Sequence, residues 1–297
     1  MAYRLMNSFA LAAMVAAQLA FAPLASAQSS EAILAAQRGN ISGRQRMLAQ
    51  RISKAACFLH VGISSNSQLG QMEDAIAQFE ANLLTLQSGN DALGLNPERD
   101  LSIFGALEGV SNEWDAFLGQ LQAVLNDGVV GQPALAEIDS IGLHLMERMN
   151  NVVNQIARTY GDKLSGMPLI MSRTMDIAGR QRMFTQKAAK EFCLIEAGVN
   201  VEENRTRLAK TAELFTLTLG ALQSGMPGMV MAAPNDEIRD QLRAVAEAWI
   251  GPKAALEAAA NGETITDAQR NAVANDMERV LVLMNEAVGM YEEAIPK

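Results

Sequence analysis

Two stretches of the chain decide its fold: residues 42–59, SGRQRMLAQRISKAACFL, and residues 178–195, AGRQRMFTQKAAKEFCLI. The second stretch repeats the first at an offset of 136 in the numbering and keeps two of its three arginines, both glutamines, the lysine and the cysteine. A repeat that served packing alone would need only its apolar positions, whereas the best preserved segment here is the basic pentapeptide Gly-Arg-Gln-Arg-Met. The pattern therefore indicates a duplicated unit in which polar residues are constrained as well.

The duplication extends well beyond this motif. Residues 86–89, LQSG, recur at the same offset as residues 222–225, and the MER of residues 146–148 recurs at residues 277–279, at an offset of 131. A period of this length is too long for a solenoid repeat and suits a duplicated domain of ordinary size. We expect two tandem domains, at residues 28–165 and 166–297.

Residues 1–27 resemble a secretory signal peptide. Arg4 is the lone charge, an apolar run follows, and the small residues of the Ala25-Ser26-Ala27 triplet precede Gln28. An uncleaved membrane anchor is the alternative, but the run is short for a span of ~20 residues. We expect cleavage near Gln28 and a soluble periplasmic product that does not span a membrane.

The net charge argues against nucleic acid or an anionic membrane as partner. The formal charge is −9, and losing Arg4 with the signal makes it −9 − 1 = −10. The cations are nevertheless gathered in the two equivalent segments, at Arg38, Arg44, Arg46, Arg51 and Lys54, and at Arg173, Arg180, Arg182, Lys187 and Lys190. Solvated charge is the ordinary explanation of such residues, but clustering at the same place in both units favours an anion site.

The apolar periodicity predicts an all-α chain. Apolar residues recur at spacings of three and four, and Ala, Leu, Met, Gln and Glu dominate. We expect four helices per unit, near residues 31–64, 67–88, 97–126 and 133–165, and near residues 168–198, 201–223, 235–260 and 266–295. Two tandem up-and-down four-helix bundles would bury their apolar stripes.

Local signals mark several helix ends. Asn96 before Pro97 predicts a cap with proline at the first helical position, and Thr266 with Gln269 predicts a capping box. Gly89 and Gly225 are expected to end the second helix of each unit in a left-handed conformation.

On a helix the motif residues separate onto faces. Arg46, Gln50, Ser53 and Cys57 share one stripe, and so do their equivalents Arg182, Gln186, Ala189 and Cys193. A guanidinium and an amide one turn apart suit a flat oxyanion. Arg44 and Arg180 point elsewhere and are expected to meet solvent or a salt-bridge partner.

The motif GRQRMLAQRISKA resembles the signature of the PilJ-type domain of type IV pilus methyl-accepting chemotaxis transducers, and is similar to the periplasmic sensor domain of nitrate/nitrite sensor kinases. The resemblance covers essentially the whole chain after the signal, as two copies. It implies an anion held at a two-fold axis by the arginine that precedes Met, here Arg46 and Arg182, with Gly43 and Gly179 in the same signature and Gln50 and Gln186 as polar support.

The resemblance implies a sensor-type module that binds a small oxyanion, with nitrate or nitrite leading, and that acts through a membrane receptor or sensor protein. The alternative is a structural adaptor without a small ligand, whose bundles dock a membrane receptor or a pilus or chemotaxis component.

The two cysteines, Cys57 and Cys193, occupy equivalent positions on the motif stripe. In an oxidising compartment a disulfide would join the two first helices near the pseudo-axis. The alternative is that each is a small buried apolar residue.

No cofactor or metal is expected. Met226, Met229 and Met231 have a spacing that thioether ligands of Cu(I) use, but the first unit has no such loop, so copper handling is a distant alternative. His60 and His144 are single and lack the paired spacing of zinc ligands. No hydrolase, zinc-protease, haem or phosphate-loop motif is present, so we expect no enzyme. Glu147 and Glu278, each followed by Arg, are interpreted as solvated charge.

Overall fold

The computed structural model describes residues 22–161 and 169–294. Most of the predicted signal peptide lies outside these residues. Within them the chain forms eight α-helices, α1 Ala22–His60, α2 Ser65–Ser88, α3 Leu101–Asp127, α4 Gln132–Thr159, α5 Leu169–Glu196, α6 Val201–Ser224, α7 Asp236–Ala260 and α8 Asp267–Glu293. The prediction of an all-α chain is confirmed, and no described helix is long and apolar enough to cross a bilayer.

The helices pack as two four-helix bundles, as predicted. In the first unit α1 packs on α2 and α4, and α3 packs on α4 and more loosely on α2. In the second unit α5 packs on α6 and α8, and α7 packs on both of those helices. The two units meet along α1 and α5, which pack together as extensively as either packs within its own bundle. The two repeated motifs therefore lie on the helices that form the seam.

Each bundle has the same aromatic pair in its core. Phe79 stacks on Trp114 with ring centroids 4.1 Å apart, and the equivalent Phe215 lies 4.3 Å from Trp249. All four side chains are almost completely buried. Pairs of this kind contribute about 0.5–1.5 kcal/mol beyond the area that they bury.

The first connection of each unit is also the same. Ser64 and Asn200, which occupy equivalent positions in the two copies, are the described non-glycine residues with positive φ, at 52° and 43°. Both immediately precede the second helix of their unit. The left-handed turn ends α1 at His60, earlier than predicted, since the chain must reverse direction there.

The predicted start of α3 at Pro97 is wrong. The helix begins at Leu101, and the carboxylate of Asp100 caps it by accepting the N–H groups of Ser102 and Ile103 at 2.9 and 3.0 Å. The carbonyl of Asn96 instead accepts a hydrogen bond from Arg38 on α1, so a tertiary contact outweighs the local signal. By contrast, the capping box at Thr266 and Gln269 is confirmed.

Gly89 and Gly225 end α2 and α6, but not in the predicted left-handed helical conformation. Both have φ of 80°, with extended ψ of −177° and 160°. A Cβ at Gly89 would lie 2.4 Å from the carbonyl oxygen of Leu95, so only glycine fits where the following loop folds back.

Candidate functional site

A cavity of about 800 Å³ lies at the seam between the two units, enclosed mainly by α1, α4, α5 and α8. Four of the six residues predicted to bind an anion line it: Arg46, Arg182, Gly43 and Gly179. The two arginine side chains are almost wholly buried. The structure thus brings the two copies of the motif together around one space.

Each of the two arginines reaches across the seam to the other unit. Arg46 on α1 donates from Nη2 to Asp176 Oδ1 on α5 at 3.1 Å, and from Nη1 to Asn150 Oδ1 on α4 at 3.1 Å. Arg182 on α5 donates from Nη2 to Asn40 Oδ1 on α1 at 2.7 Å. Because Asn40 and Asp176 are themselves equivalent positions of the repeat, the two contacts are related by the duplication. Reciprocal contacts of this kind define a pseudo-two-fold axis.

The two glycines make room for these guanidinium groups. A Cβ at Gly43 would lie 3.3 Å from Arg46 Nη2, and one at Gly179 would lie 3.5 Å from Arg182 Nη2. The Nε atoms of the two arginines also point back at the carbonyls of Gly43 and Gly179, at 3.4 and 3.5 Å. Glycine one turn before the arginine therefore lets the side chain fold against its own helix.

The surroundings of Arg182 disfavour its positive charge. Burial, together with the positive charges of Arg44 and Arg46, lowers the pKa of Arg182 to about 9, while Glu292 opposes the change. Burial also lowers the pKa of Arg46, but there the ion pair with Asp176 opposes the change. A bound anion would relieve the excess positive charge around Arg182.

The predicted glutamines do not line the cavity. Gln50 Nε2 donates to the carbonyl of Gly142 on α4 at 3.1 Å, and Gln186 Nε2 lies 3.3 Å from Thr185 Oγ1. Each glutamine lies one helical turn beyond its arginine, farther along the seam. Gln50 and Gln186 therefore belong to the packing between helices and not to the wall of the cavity.

Most of the clustered cations form ion pairs, several of them across the seam. Lys54 on α1 pairs with Glu278 on α8, which Arg51 also contacts at 2.8 Å. The equivalent Lys190 on α5 pairs with Asp139 on α4 of the first unit. The interpretation of Glu278 as solvated charge is wrong, because its carboxylate is largely buried between the two cations.

Cys57 and Cys193 form a disulfide that joins α1 to α5, with Cα atoms 6.0 Å apart. Both residues are fully buried. The disulfide and the two arginine contacts join α1 to α5 directly, and the lysine ion pairs join each of these helices to the fourth helix of the opposite unit.

Of the histidines and loop methionines considered in the sequence, only Met229 lies at the cavity. His60 Nδ1 lies 2.6 Å from the carbonyl of Val130, and His144 is exposed. Met226 and Met231 pack against the core, and Met229 is exposed at the cavity wall. Among residues 22–161 and 169–294, no group of three His, Cys, Asp or Glu side chains is arranged to hold a metal ion.

Sequence reasoning missed four residues that shape the site: Asn40, Asn150, Asp176 and Glu292. The offset of the repeat could have paired Asn40 with Asp176, since both lie at the same spacing before their arginine. Asn150 and Glu292 belong to the fourth helices, and no local signal connects them with the motif.

A comparison with protein families assigns these paired helical bundles to a sensory or signalling class of module. The family of the type IV pili methyl-accepting chemotaxis transducer N-terminal domain, PilJ, matches residues 28–136 and 171–276. The chain belongs to this family and contains two copies of its domain. No curated protein matches the chain. The relationship to nitrate/nitrite sensors remains a prediction.

Proposed function

We propose that this protein is an exported sensory module that binds a small oxyanion between its two units, with nitrate or nitrite leading, and that acts through a partner protein. One observation carries the proposal: both motif arginines line a single cavity at the seam. Of the cavity's charged residues, four are cations, Arg46, Arg173, Arg180 and Arg182, and two are acids, Asp176 and Glu292. The lining therefore has a surplus of positive charge that an anion would balance.

The position of the site supports a signalling role. An anion bound at the seam would contact α1 and α5, whose packing sets how the two units meet. A ligand that prefers one arrangement of the units shifts the population towards it, and a partner protein would then detect the change. We propose a membrane receptor or another sensor protein as that partner.

Two features support export. Residues 1–27 have the composition of a signal peptide, and the Cys57–Cys193 disulfide is of a kind that persists in oxidising compartments. We propose a periplasmic location. Recovery of the chain from a periplasmic fraction, with an N-terminus near Gln28, would support it, whereas a cytoplasmic full-length chain with reduced cysteines would contradict it.

Anion binding is tested by thermal unfolding of the mature protein in nitrate, nitrite, sulfate, phosphate and chloride at constant ionic strength. We expect a selective rise in Tm for one planar anion. The rise should vanish in Arg46→Gln/Arg182→Gln, shown to be folded by circular dichroism, and persist in Arg243→Gln, which removes an exposed arginine of α7. If no anion raises the Tm, the oxyanion proposal fails and the docking of a partner protein by the same helices becomes the better explanation.

A further inference from the structure

The two halves of the site differ in charge at one pair of equivalent positions. The acceptor for Arg46 is the carboxylate of Asp176, whereas the acceptor for Arg182 is the neutral amide of Asn40. The pseudo-two-fold axis relates these two contacts, so the difference is a property of the residue types and not of the geometry. The first half carries its own counter-ion and the second half does not.

The consequence is that positive charge is compensated unequally. Asp176 pairs with Arg46 and also with Arg180, at 2.8 Å. Among the described residues no carboxylate forms an ion pair with Arg182, and no hydrogen bond forms at its Nη1. Glu292, the acid that acts on Arg182 most strongly, does so at longer range, while Arg44 and Arg46 add positive charge. Arg182 is therefore the guanidinium with capacity for an additional anion.

The dimensions of the cavity bear on the size of the ligand. Cavities of roughly 300–1,000 Å³ accommodate organic ligands of drug-like size, and nitrate would fill a small part of about 800 Å³. Much of the remaining wall is apolar and comes from both units, at Val153, Ile156, Met175, Ile177, Met229 and Val288. Such a wall favours the burial of hydrocarbon.

We propose that the cavity binds an organic monocarboxylate, with the carboxylate on Arg182 and the hydrocarbon body along the apolar wall, and that Asn40 is the residue that keeps Arg182 available. This inference rests on the proposed function and deepens it, because it names the class of anion and the half of the site that holds it. A carboxylate presents two oxygens in one plane, which a guanidinium meets with two parallel hydrogen bonds. One negative charge matches Arg182, the buried arginine of the cavity without an ion pair among the described residues.

The experiment measures binding to the mature, disulfide-bonded protein by isothermal titration calorimetry, with sodium hexanoate, acetate, nitrate and sulfate as probes. We expect hexanoate to bind at least tenfold more tightly than acetate or nitrate. Asn40→Asp should weaken hexanoate binding at least tenfold, because it gives Arg182 a counter-ion of the kind that Arg46 already has. We expect this variant to fold normally, since the equivalent position, Asp176, already carries an aspartate.

Two control variants make the result specific. Asn112→Asp makes the same change of charge on an exposed part of α3 and should leave binding unchanged. The exchange variant Asn40→Asp/Asp176→Asn restores the total charge of the site and should recover binding, now on Arg46. In the wild-type background Arg182→Gln should abolish hexanoate binding, and in the exchange variant Arg46→Gln should abolish it. That pair of results would show that the Asn40 amide decides which arginine holds the carboxylate.

The outcomes separate the inference from the proposed function. If nitrate binds and hexanoate does not, the organic ligand is overturned while oxyanion binding stands. If hexanoate binds but Asn40→Asp has no effect, the anchoring on Arg182 is overturned. If no probe binds to the wild type, both the inference and the proposed function fail.

Discussion

Lys54 and Glu278 form an ion pair that links the first helix of one unit to the last helix of the other, and the lysine is fully buried. Lys54 Nζ also donates to Gln71 Oε1 at 2.7 Å, so the ammonium group has two partners in place of water. Burial alone would raise the pKa of Glu278, but the charges of Lys54 and Arg51 outweigh it and lower that pKa. The ion pair therefore links the two units and offsets part of the cost of burying the ammonium group.

Glu278→Gln should destabilise the protein by roughly 3 kcal/mol, the lower end for a broken buried pair, because Glu278 keeps some exposure. The variant leaves the ammonium group of Lys54 buried without a carboxylate. Lys54→Met/Glu278→Gln should recover part of the loss. Urea denaturation measures these changes, and Glu147→Gln is the matched control, since it alters the exposed equivalent in the first unit. If Glu278→Gln and Glu147→Gln lose equal amounts of stability, the assigned pairing of Glu278 with Lys54 is contradicted.

Stability should also depend on pH through Lys54. Burial lowers the pKa of Lys54 to about 8, from an ordinary value of 10.5, although Glu278 opposes the change. The unfolded chain then binds more protons than the folded chain between these two values, so this group makes the free energy of unfolding rise with pH across that window. The free energy of unfolding of the wild type minus that of Lys54→Met should therefore increase as pH rises from about 8 towards 10.5. A difference that stays constant in urea denaturation at several pH values would show that Lys54 titrates normally.

The disulfide should stabilise the pair of bundles by closing a long loop. Cys57 and Cys193 are separated by 136 in sequence, and a loop of this order corresponds to roughly 4–5 kcal/mol of lost chain entropy in the unfolded state. Cys57→Ala/Cys193→Ala should lower the free energy of unfolding by up to that amount. A reducing agent should destabilise the wild type similarly and leave the double variant unchanged. If reduction does not alter the urea midpoint of the wild type, the cross-link contributes no stability.

Much of the fold could be predicted from sequence because its signals are local and occur twice. The apolar period gives the helices, and the repeated motif identifies Arg46 and Arg182 as a pair. The partners of the cations could not be predicted, because Asp139 and Glu278 lie on fourth helices and only their side chains reach the cations of the opposite unit. Their positions depend on how all eight helices rotate about their axes, which no short segment specifies.

The clustered positive charge illustrates the same limit. Sequence offered two explanations for it, solvated charge and an anion site, and the structure adds a third. Lys54 and Lys190 neutralise acids of the opposite unit, which leaves Arg182 as the buried cation without an ion pair among the described residues. The predicted helix start at Pro97 was wrong for a related reason. The hydrogen bond that replaces it joins Arg38 to Asn96, which are far apart in the sequence.

Close packing of α1 on α4 should make Gly142 intolerant of a side chain. A Cβ there would lie 2.4 Å from Ser53 Oγ, so Gly142→Ala should cost about 1–3 kcal/mol of stability. Ser53→Ala removes that oxygen, and the double variant should recover most of the loss. The second unit already has this kind of exchange, with Ala189 and Val273 at the equivalent positions.

Gly119→Ala is the control for Gly142, because it lies on the exposed face of α3 with nothing within 4 Å of the added Cβ. It should stabilise the helix by about 0.5–1 kcal/mol. Thermal or urea denaturation compares the variants. If Gly142→Ala behaves like Gly119→Ala, the two helices are not in close contact at this point.

Anion binding at the cavity should strengthen as pH falls, because Glu292 competes with the ligand for Arg182. Burial raises the pKa of Glu292, and Arg182, Arg44 and Asn40 oppose that change while Glu293 adds to it. The stability that this group contributes is thus fully present below its ordinary pKa of 4.5 and is lost as pH rises through the raised value. A bound anion would raise the pKa of Glu292 further, so binding would be linked to proton uptake at this carboxylate.

Glu292→Gln removes the titrating group and should therefore bind more tightly at neutral pH and lose most of the pH dependence. Nitrate is the suitable probe, because it stays ionised throughout a titration from the ordinary carboxyl pKa of 4.5 up to neutral pH. Glu293→Gln, at the exposed neighbouring position, is the control and should keep the wild-type profile. If affinity is independent of pH in the wild type, or if Glu292→Gln keeps the same slope, the carboxylate does not share Arg182 with the ligand.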